Sequence, residues 1–186
     1  MKTVFKFGIN DSIEPVQTKG WVNGVYKVNW RCPFYTKWTN MLKRCYGKYE
    51  QYRVYDECSV CEEWLTFSNF KSWMKTQDWK GKHLDKDLLG GDLYCPENCV
   101  FISNEMNSFI KSSKNKHGLP RGVTRSSSGT IYARIIISGE NIYLGSFETI
   151  SDAKLAYNNA KIDRASDIFK DEPLLDELIR RLRNEH

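Results

Sequence analysis

Three polar residues in the middle of the chain have the chemistry of a hard-cation site. Asp85 lies in His83-Leu84-Asp85-Lys86-Asp87, and Asn98 and Asn107 follow it. A carboxylate oxygen and an amide oxygen suit Mg²⁺ or Mn²⁺, which keep several waters and accept phosphate oxygens. An ion held this way stabilises the charge of a phosphodiester and an attacking hydroxide. Whether Asp85 and Asn107 can meet depends on what lies between them. His83 to Leu89 reads as a short strand and Gly90-Gly91-Asp92 as a turn. Tyr94 to Ile102 holds a Pro-Glu-Asn turn and a second strand, and Ser103 is positioned to cap a helix running to about Ser112. In a strand, turn, strand, helix order the hairpin packs the helix beside the first strand. Asp85 at the strand end and Asn107 on the helix are then expected to converge on one ion.

Upstream lie the elements that would support such a hairpin. After Pro33, the residues Phe34, Trp38, Met41, Leu42 and Cys45 recur at helical spacing, and Gly47 can stop the helix. A second helix is expected from Glu62 to Thr76, with Trp64, Phe67, Phe70, Trp73 and Met74 as its apolar stripe. Stripes of this kind are core. Residues 1–31 carry no helical period and read as short strands and loops.

The polar residues and their order resemble the ββα-metal fold of HNH nucleases, above all bacteriophage homing endonucleases with an Asp-His…Asn…Asn core. The upstream Trp38-x-x-Met41-x-x-Arg44-Cys45-Tyr46 and Glu63-Trp64…Phe67-x-x-Phe70 patterns resemble phage and prophage proteins of the same group. The resemblance implies that Asp85 and Asn107 hold the metal, that Asn98 braces the loop, and that the histidine position, the water-activating one, is Lys86. An ordinary lysine has a pKa of about 10.4 and is charged at neutral pH. Making it a base near neutrality costs about 4 kcal/mol of desolvation or like charge, and the flanking Asp85 and Asp87 work the other way. Lys86 is therefore expected to contact phosphate rather than to accept a proton. His83 is the alternative base, since two residues along a strand return to the same face.

Cys58-x-x-Cys61 and Cys95-x3-Cys99 have short paired spacings that fit four zinc thiolates. Neither pair has a glycine-rich knuckle, Asn98 sits inside the second, and Cys99 opens a strand. Buried free thiols are the favoured reading over structural zinc.

Past a polar linker at 113–118 the pattern changes. Gly122 to Thr124, Thr130 to Ser138 and Asn141 to Phe147 read as strands, with turns at Ser128-Gly129 and Gly139-Glu140. Ser151 is expected to cap a helix with Ala153, Ala156, Tyr157 and Ala160 on one face. Alternation puts Ala133, Ile135 and Ile137 on one side of the middle strand and Tyr132, Arg134 and Ile136 on the other. The sequence Arg121-Gly122-Val123…Tyr132-Ala133-Arg134…Leu144-Gly145-Ser146-Phe147…Asp152-Ala153-Lys154-Leu155-Ala156-Tyr157 resembles the ethylene-response-factor type of DNA-binding domain. In that family a three-stranded sheet enters the major groove. The resemblance implies Arg121, Arg125, Tyr132, Arg134 and Tyr143 as DNA contacts. Ile136 stands where plant members often place arginine.

Charge agrees with a polyanionic partner. The net charge of the 186-residue chain is +5, and no acid occurs between Glu105 and Glu140, a stretch that holds Lys111, Lys114 and Lys116 besides Arg121, Arg125 and Arg134. The three lysines are expected on phosphates, positioning rather than specifying. No apolar run approaches the roughly 18 residues of a membrane span, and Met1 to Asn10 lacks a signal-peptide core. These features predict a cytoplasmic protein, in the host cytoplasm if phage-encoded, with reduced cysteines.

The expected class is α+β: strands and loops over 1–31, an HNH-like ββα-metal domain over 32–112, and a three-stranded antiparallel sheet packed on one helix over 119–170. A C-terminal helix follows at 171–186, whose Leu174, Leu175, Leu178, Ile179 and Leu182 must dock on the body or on a second copy. Two functions are expected, both with double-stranded DNA as partner and with the chain as a monomer or homodimer. One is a metal-dependent endonuclease that nicks DNA; the other is a non-catalytic DNA-binding regulator that keeps the HNH scaffold.

Overall fold

The sequence was folded as a computed structural model, which describes residues 2–47, 58–111, 118–137 and 139–184. The chain is a mixed α+β protein that divides into two compact units, Met1–Asn104 and Glu105–His186. Among the described residues no helix is long and apolar enough to cross a membrane.

The first unit opens with two antiparallel hairpins. Strand β1 (Lys2–Val4) pairs with β2 (Gly8–Asn10), and β3 (Gln17–Val22) pairs with β4 (Val25–Arg31) through an Asn23-Gly24 turn, both residues at positive φ. Helix α1 (Pro33–Tyr46) starts on a proline, which suits a first-turn position without a donor, and carries Lys43 and Arg44 in its last turn, where the dipole favours cations. Its Trp38, Met41 and Leu42 are fully buried, as their spacing predicts.

The helix expected over 62–76 is broken. A 3₁₀ turn, Glu63–Leu65, precedes α2 (Phe67–Lys75), and Thr66 between them is extended. The Asn69 side-chain amide donates to the Glu63 carbonyl at 3.1 Å and bridges the break. Around these helices lies one aromatic core. Trp38 Nε1 donates to the Trp64 carbonyl at 2.7 Å, and the Trp64 ring meets Phe70 at 5.1 Å and Trp73 at 4.3 Å. Each large side chain buried here contributes on the order of 1.5–3 kcal/mol.

Three short pairings complete the unit. β5 (Ser59–Val60) runs parallel to β7 (Leu93–Tyr94), and β6 (His83–Asp85) is antiparallel to β8 (Val100–Ile102), with Asp85 opposite Val100. β6 stops at Asp85 rather than at Leu89 because Asp85 Oδ1 accepts the Leu88 backbone N–H at 2.7 Å, which turns the chain out of the strand.

The second unit begins with α3 (Asn104–Ile110), which crosses the division by one residue. Its Phe109 ring meets Phe169 edge-on at 5.4 Å. The sheet has the order β11-β10-β9, with β9 (Val123–Arg125), β10 (Ile131–Ile137) and β11 (Glu140–Phe147) all antiparallel. Helix α4 (Ile150–Ile168) packs on one face, where Val123, Ile131, Ala133 and Ile135 meet Ala153 and Tyr157. Its cap is Thr149, whose hydroxyl oxygen accepts the Asp152 N–H at 3.1 Å; Ser151, expected in that place, lies inside the first turn. Helix α5 (Leu175–Asn184) packs on α4 and buries Leu178 and Leu182 completely.

Candidate nucleic-acid interface and metal-site residues

The sheet has an inner and an outer face, and the burial of β10 alternates accordingly. Register sets the outer face. Tyr132 stands opposite Thr124 on β9 and Ser146 on β11, and Arg134 opposite Tyr143, across a bulge between Ala133 and Arg134. The Arg134 guanidinium lies 5.8 Å over the Tyr132 ring, and the Tyr132 and Tyr143 rings are 6.4 Å apart. The Tyr143 hydroxyl is 2.6 Å from Ser146 Oγ, which fixes the ring across its own strand. Arg134 is exposed, as are Tyr143 and Ile136. Thr124, Tyr132, Arg134, Ile136, Asn141, Tyr143 and Ser146 share this face, and none is a carboxylate.

The other sheet candidates are placed differently. Arg125 is exposed at the end of β9, but it pairs with buried Ile131 and so belongs to the α4 side by register. It lines a pocket with Leu119, Thr124 and Ser126. Arg121 is exposed, and its Nη1 donates to the Lys111 carbonyl at 2.9 Å. Lys111 follows α3 and is exposed. Lys114 and Lys116 lie outside the described residues. Thr124 and Ser146 were not singled out by the sequence pattern, because only strand register reveals that they flank Tyr132.

On the hairpin, Asp85 ends β6 and is buried. His83 begins the same strand, opposite Ile102, and is half-buried. Lys86 is also buried. Its Nζ donates to Asp87 Oδ1 at 2.7 Å and to the Gly91 carbonyl at 3.2 Å, stands 3.8 Å from Asp92 Oδ1, and lies 5.9 Å over the Tyr94 ring. Burial opposes its charge, but the hydrogen bond to Asp87 and the negative charges of Asp87, Cys58 and Asp92 prevail and hold its pKa above the ordinary lysine value. Lys86 therefore stays an ammonium at neutral pH.

Asn98 reaches across the same turn: its amide nitrogen donates to the Leu93 carbonyl at 3.3 Å. Gly91, at φ 142°, gives it room, since a Cβ there would stand 2.9 Å from Asn98 Nδ2. Lys86 and Asn98 thus grip one turn from two sides, Lys86 through the Gly91 carbonyl and Asn98 against its Cα. Asn107 is half-buried on α3 and belongs to the second unit, whereas Asp85 belongs to the first.

All six cysteines are free thiols. Cys45 Sγ on α1 and Cys58 Sγ lie 2.9 Å apart. A hydrogen bond from Cys45 holds the Cys58 thiol below its usual pKa, with help from the Lys86 charge. Among the described residues no three His, Cys, Asp or Glu side chains are grouped to hold a metal. Burial pushes the Cys99 thiol up to about 12. A thiol in that state reacts slowly, because the thiolate is the nucleophile. Cys99 is expected to resist iodoacetamide in the native protein at mildly alkaline pH and to react once the chain is unfolded. Peptide mapping by mass spectrometry after timed alkylation checks this; native labelling of Cys99 as fast as that of Cys32 would contradict its burial.

Compared with protein-family models, with curated proteins and with solved structures, the chain shows no match in any of the three.

Proposed function

We propose that this chain is a DNA-binding protein whose three-stranded sheet docks in the major groove of duplex DNA, and that it is a metal-dependent, nicking endonuclease of the ββα-metal type. The observation that carries the reading is the outer sheet face, where an exposed arginine stands between two tyrosines on a surface without carboxylates. A narrow twisted sheet fits the major groove, and an arginine there pairs bidentately with guanine. The Tyr132 ring lies beneath the guanidinium, and the tyrosines supply hydroxyls for phosphate or base edges. Thr124 and Ser146 extend the polar rim on either side of Tyr132.

Arg134→Ala is the test. It is expected to weaken specific duplex binding by about 1–3 kcal/mol and to relax preference at one base pair. Fluorescence anisotropy on a selected site and on a scrambled duplex reads both effects. Equal affinity of variant and wild type on both duplexes would refute the interface. Binding should also weaken steeply with salt, as it must where phosphates are neutralised.

The nuclease part rests on the donor set. Asp85 in the first unit offers a carboxylate oxygen and Asn107 in the second an amide oxygen, and each donor type by itself suits Mg²⁺ or Mn²⁺. When bound, such an ion supplies charge neutralisation at the phosphodiester and a water of lowered pKa. Asn98 keeps the turn beyond β6 in shape. Lys86 uses two of its three N–H donors on Asp87 and Gly91, and the third is assigned to a phosphate oxygen. His83, on the Asp85 side of β6, is the candidate to take a proton.

The buried, charged Lys86 favours a second reading, a non-catalytic DNA-binding regulator. The resemblance calls for a water-activating histidine there, and losing a general base slows cleavage about 10²–10⁴-fold. Supercoiled plasmid incubated with Mg²⁺ or Mn²⁺ separates the two. Open-circular product supports the enzyme; duplex binding without any nicking supports the regulator.

A further inference from the structure

The hairpin of β3 and β4 takes no part in either site described above, and its surface is unlike that of an ordinary hairpin. Every residue of β4 is exposed, and on β3 only Gly20 and Val22 are partly covered. Trp21 is 75% exposed and Tyr26 59%. Large apolar rings left in water on both strands of one ribbon mark a binding surface rather than a core. Trp21 and Tyr26 are direct cross-strand partners and therefore share a face, with ring centroids 5.7 Å apart at 62°. Lys19, two residues before Trp21, is on that face, opposite Val28.

The charge of the ribbon selects the partner. From Pro15 to Tyr49 the sequence holds no acidic residue, while Lys19 projects from the ring-bearing face and Lys27, paired with Gly20, from the opposite one. A surface of this sign and composition complements a polyanion that also presents flat apolar faces. In duplex DNA those faces are hidden in the stack. In a single strand they are free, and stacking on aromatic side chains is tolerant of sequence because every base has a π-face. The ribbon is also stiff: the tight Asn23-Gly24 turn closes one end, and the Cys32 N–H to Val16 carbonyl bond of 2.9 Å closes the other. The rings are thus held in place before a ligand arrives, which lowers the entropy cost of binding.

We propose that the β3–β4 ribbon is a platform for single-stranded nucleic acid, with unpaired bases stacked on Trp21 and Tyr26 and a backbone phosphate met by Lys19 on the same face. The inference depends on neither the sheet interface nor the metal-site residues.

The test uses the full chain and a fluorescein-labelled oligo(dT) of about 12 nucleotides, within the range of known single-strand sites. Wild type is expected to bind it with strong salt dependence. Trp21→Ala and Tyr26→Ala should each weaken binding by about 5- to 150-fold. Lys19→Glu, on the same face, should reduce the salt dependence, while Lys27→Glu on the opposite face should reduce it less. Both rings are exposed, so melting curves should match wild type. As a check that needs no truncation, oligo(dT) should quench tryptophan emission in wild type and quench it less in Trp21→Phe.

Arg134→Ala should leave oligo(dT) affinity unchanged while weakening duplex binding, so failure of the sheet interface and failure of the ribbon are read separately. The proposal is overturned if wild type does not bind oligo(dT), or if the ring variants bind it as wild type does. It is also overturned if those variants lose duplex and single strand equally. Loss of a dimer in sedimentation by Trp21→Ala, with oligo(dT) binding intact, would assign the ribbon to a second copy of the chain instead.

Discussion

Gly122→Ala is expected to destabilise the sheet unit by about 3 kcal/mol or more and to abolish duplex binding at temperatures where wild type is folded. Two costs combine at this position. Gly122 has φ 79°, in the left-handed region, where an L-residue costs roughly 1–2 kcal/mol. A Cβ there would also overlap the ring of Tyr157, which fills the inner face between the sheet and α4. The ring cannot simply retreat, since it packs among Val123, Ala133 and Ala153. The backbone at Gly122 is in turn tied to the sheet, because its carbonyl accepts the Arg134 N–H at 2.9 Å. Displacing Tyr157 therefore moves the strand that carries the proposed base contact. Gly129→Ala separates the two costs. Gly129 has φ 89° but nothing within 4 Å of a built Cβ, so it should lose only the backbone part, about 1–2 kcal/mol. Urea melts followed by circular dichroism give both numbers. If the two variants melt alike, the close approach of Tyr157 to Gly122 is wrong.

The contrast between these glycines shows what could be read from the chain and what could not. Arg-Gly-Val followed by a Tyr-containing helix pointed to a sheet on a helix, but that Gly122 lies under Tyr157 depends on packing between positions 35 residues apart. Periodicity served well where one face is buried over several turns. The Trp38, Met41, Leu42 stripe set α1 because each of those side chains meets the same core. It served less well where side chains bond to backbone. Thr66 interrupts an apolar stripe that is otherwise continuous, and Asp85 captures the Leu88 N–H and ends β6 early. Neither event leaves a mark in hydrophobic pattern. β5 and β7 are two residues each, too short to show any period, so their parallel pairing was not foreseeable.

The candidate residues show the same division. Asp85, Asn98 and the sheet tyrosines were singled out as candidates by type and order. Their surroundings were not. The cysteine spacing offered Cys58 and Cys61 as a zinc pair but favoured free thiols, and it carried no sign that the fold brings Cys45 from the end of α1 onto Cys58. Lys86 reads as a phosphate contact between two acids, and the fold buries it with Asp87 and Gly91 as its partners. Arg125 looks equivalent to Arg134 in the sequence, and strand register assigns it to the other side. Each of these depends on contacts made across elements, which single-chain spacing does not encode.

Nicking by the Asp85→Asn, Asn107→Ala double variant is expected to fall by about 10²–10⁴-fold, with duplex affinity unchanged. The size follows from the several kcal/mol that a bound divalent ion contributes to transition-state charge stabilisation. Asparagine is chosen at 85 because Oδ1 already serves the fold, accepting the Leu88 N–H at 2.7 Å inside a buried turn. An alanine there would leave that donor unsatisfied at a cost of about 1–3 kcal/mol and would confuse folding with chemistry. An amide oxygen keeps the hydrogen bond and removes the negative charge that a divalent ion requires. The loss should be partial in each single variant and should be reduced at high Mn²⁺, since weakened ligation is offset by mass action. Lys86→Arg keeps the positive charge and should retain more nicking than Lys86→Met if the third donor meets phosphate; equal loss in both would confine Lys86 to holding the Gly91 turn. Nicks formed by the double variant at the wild-type rate would remove Asp85 and Asn107 from the chemistry. The cut would then have to be made by other groups of the chain, and the donor set proposed for the divalent ion would fall.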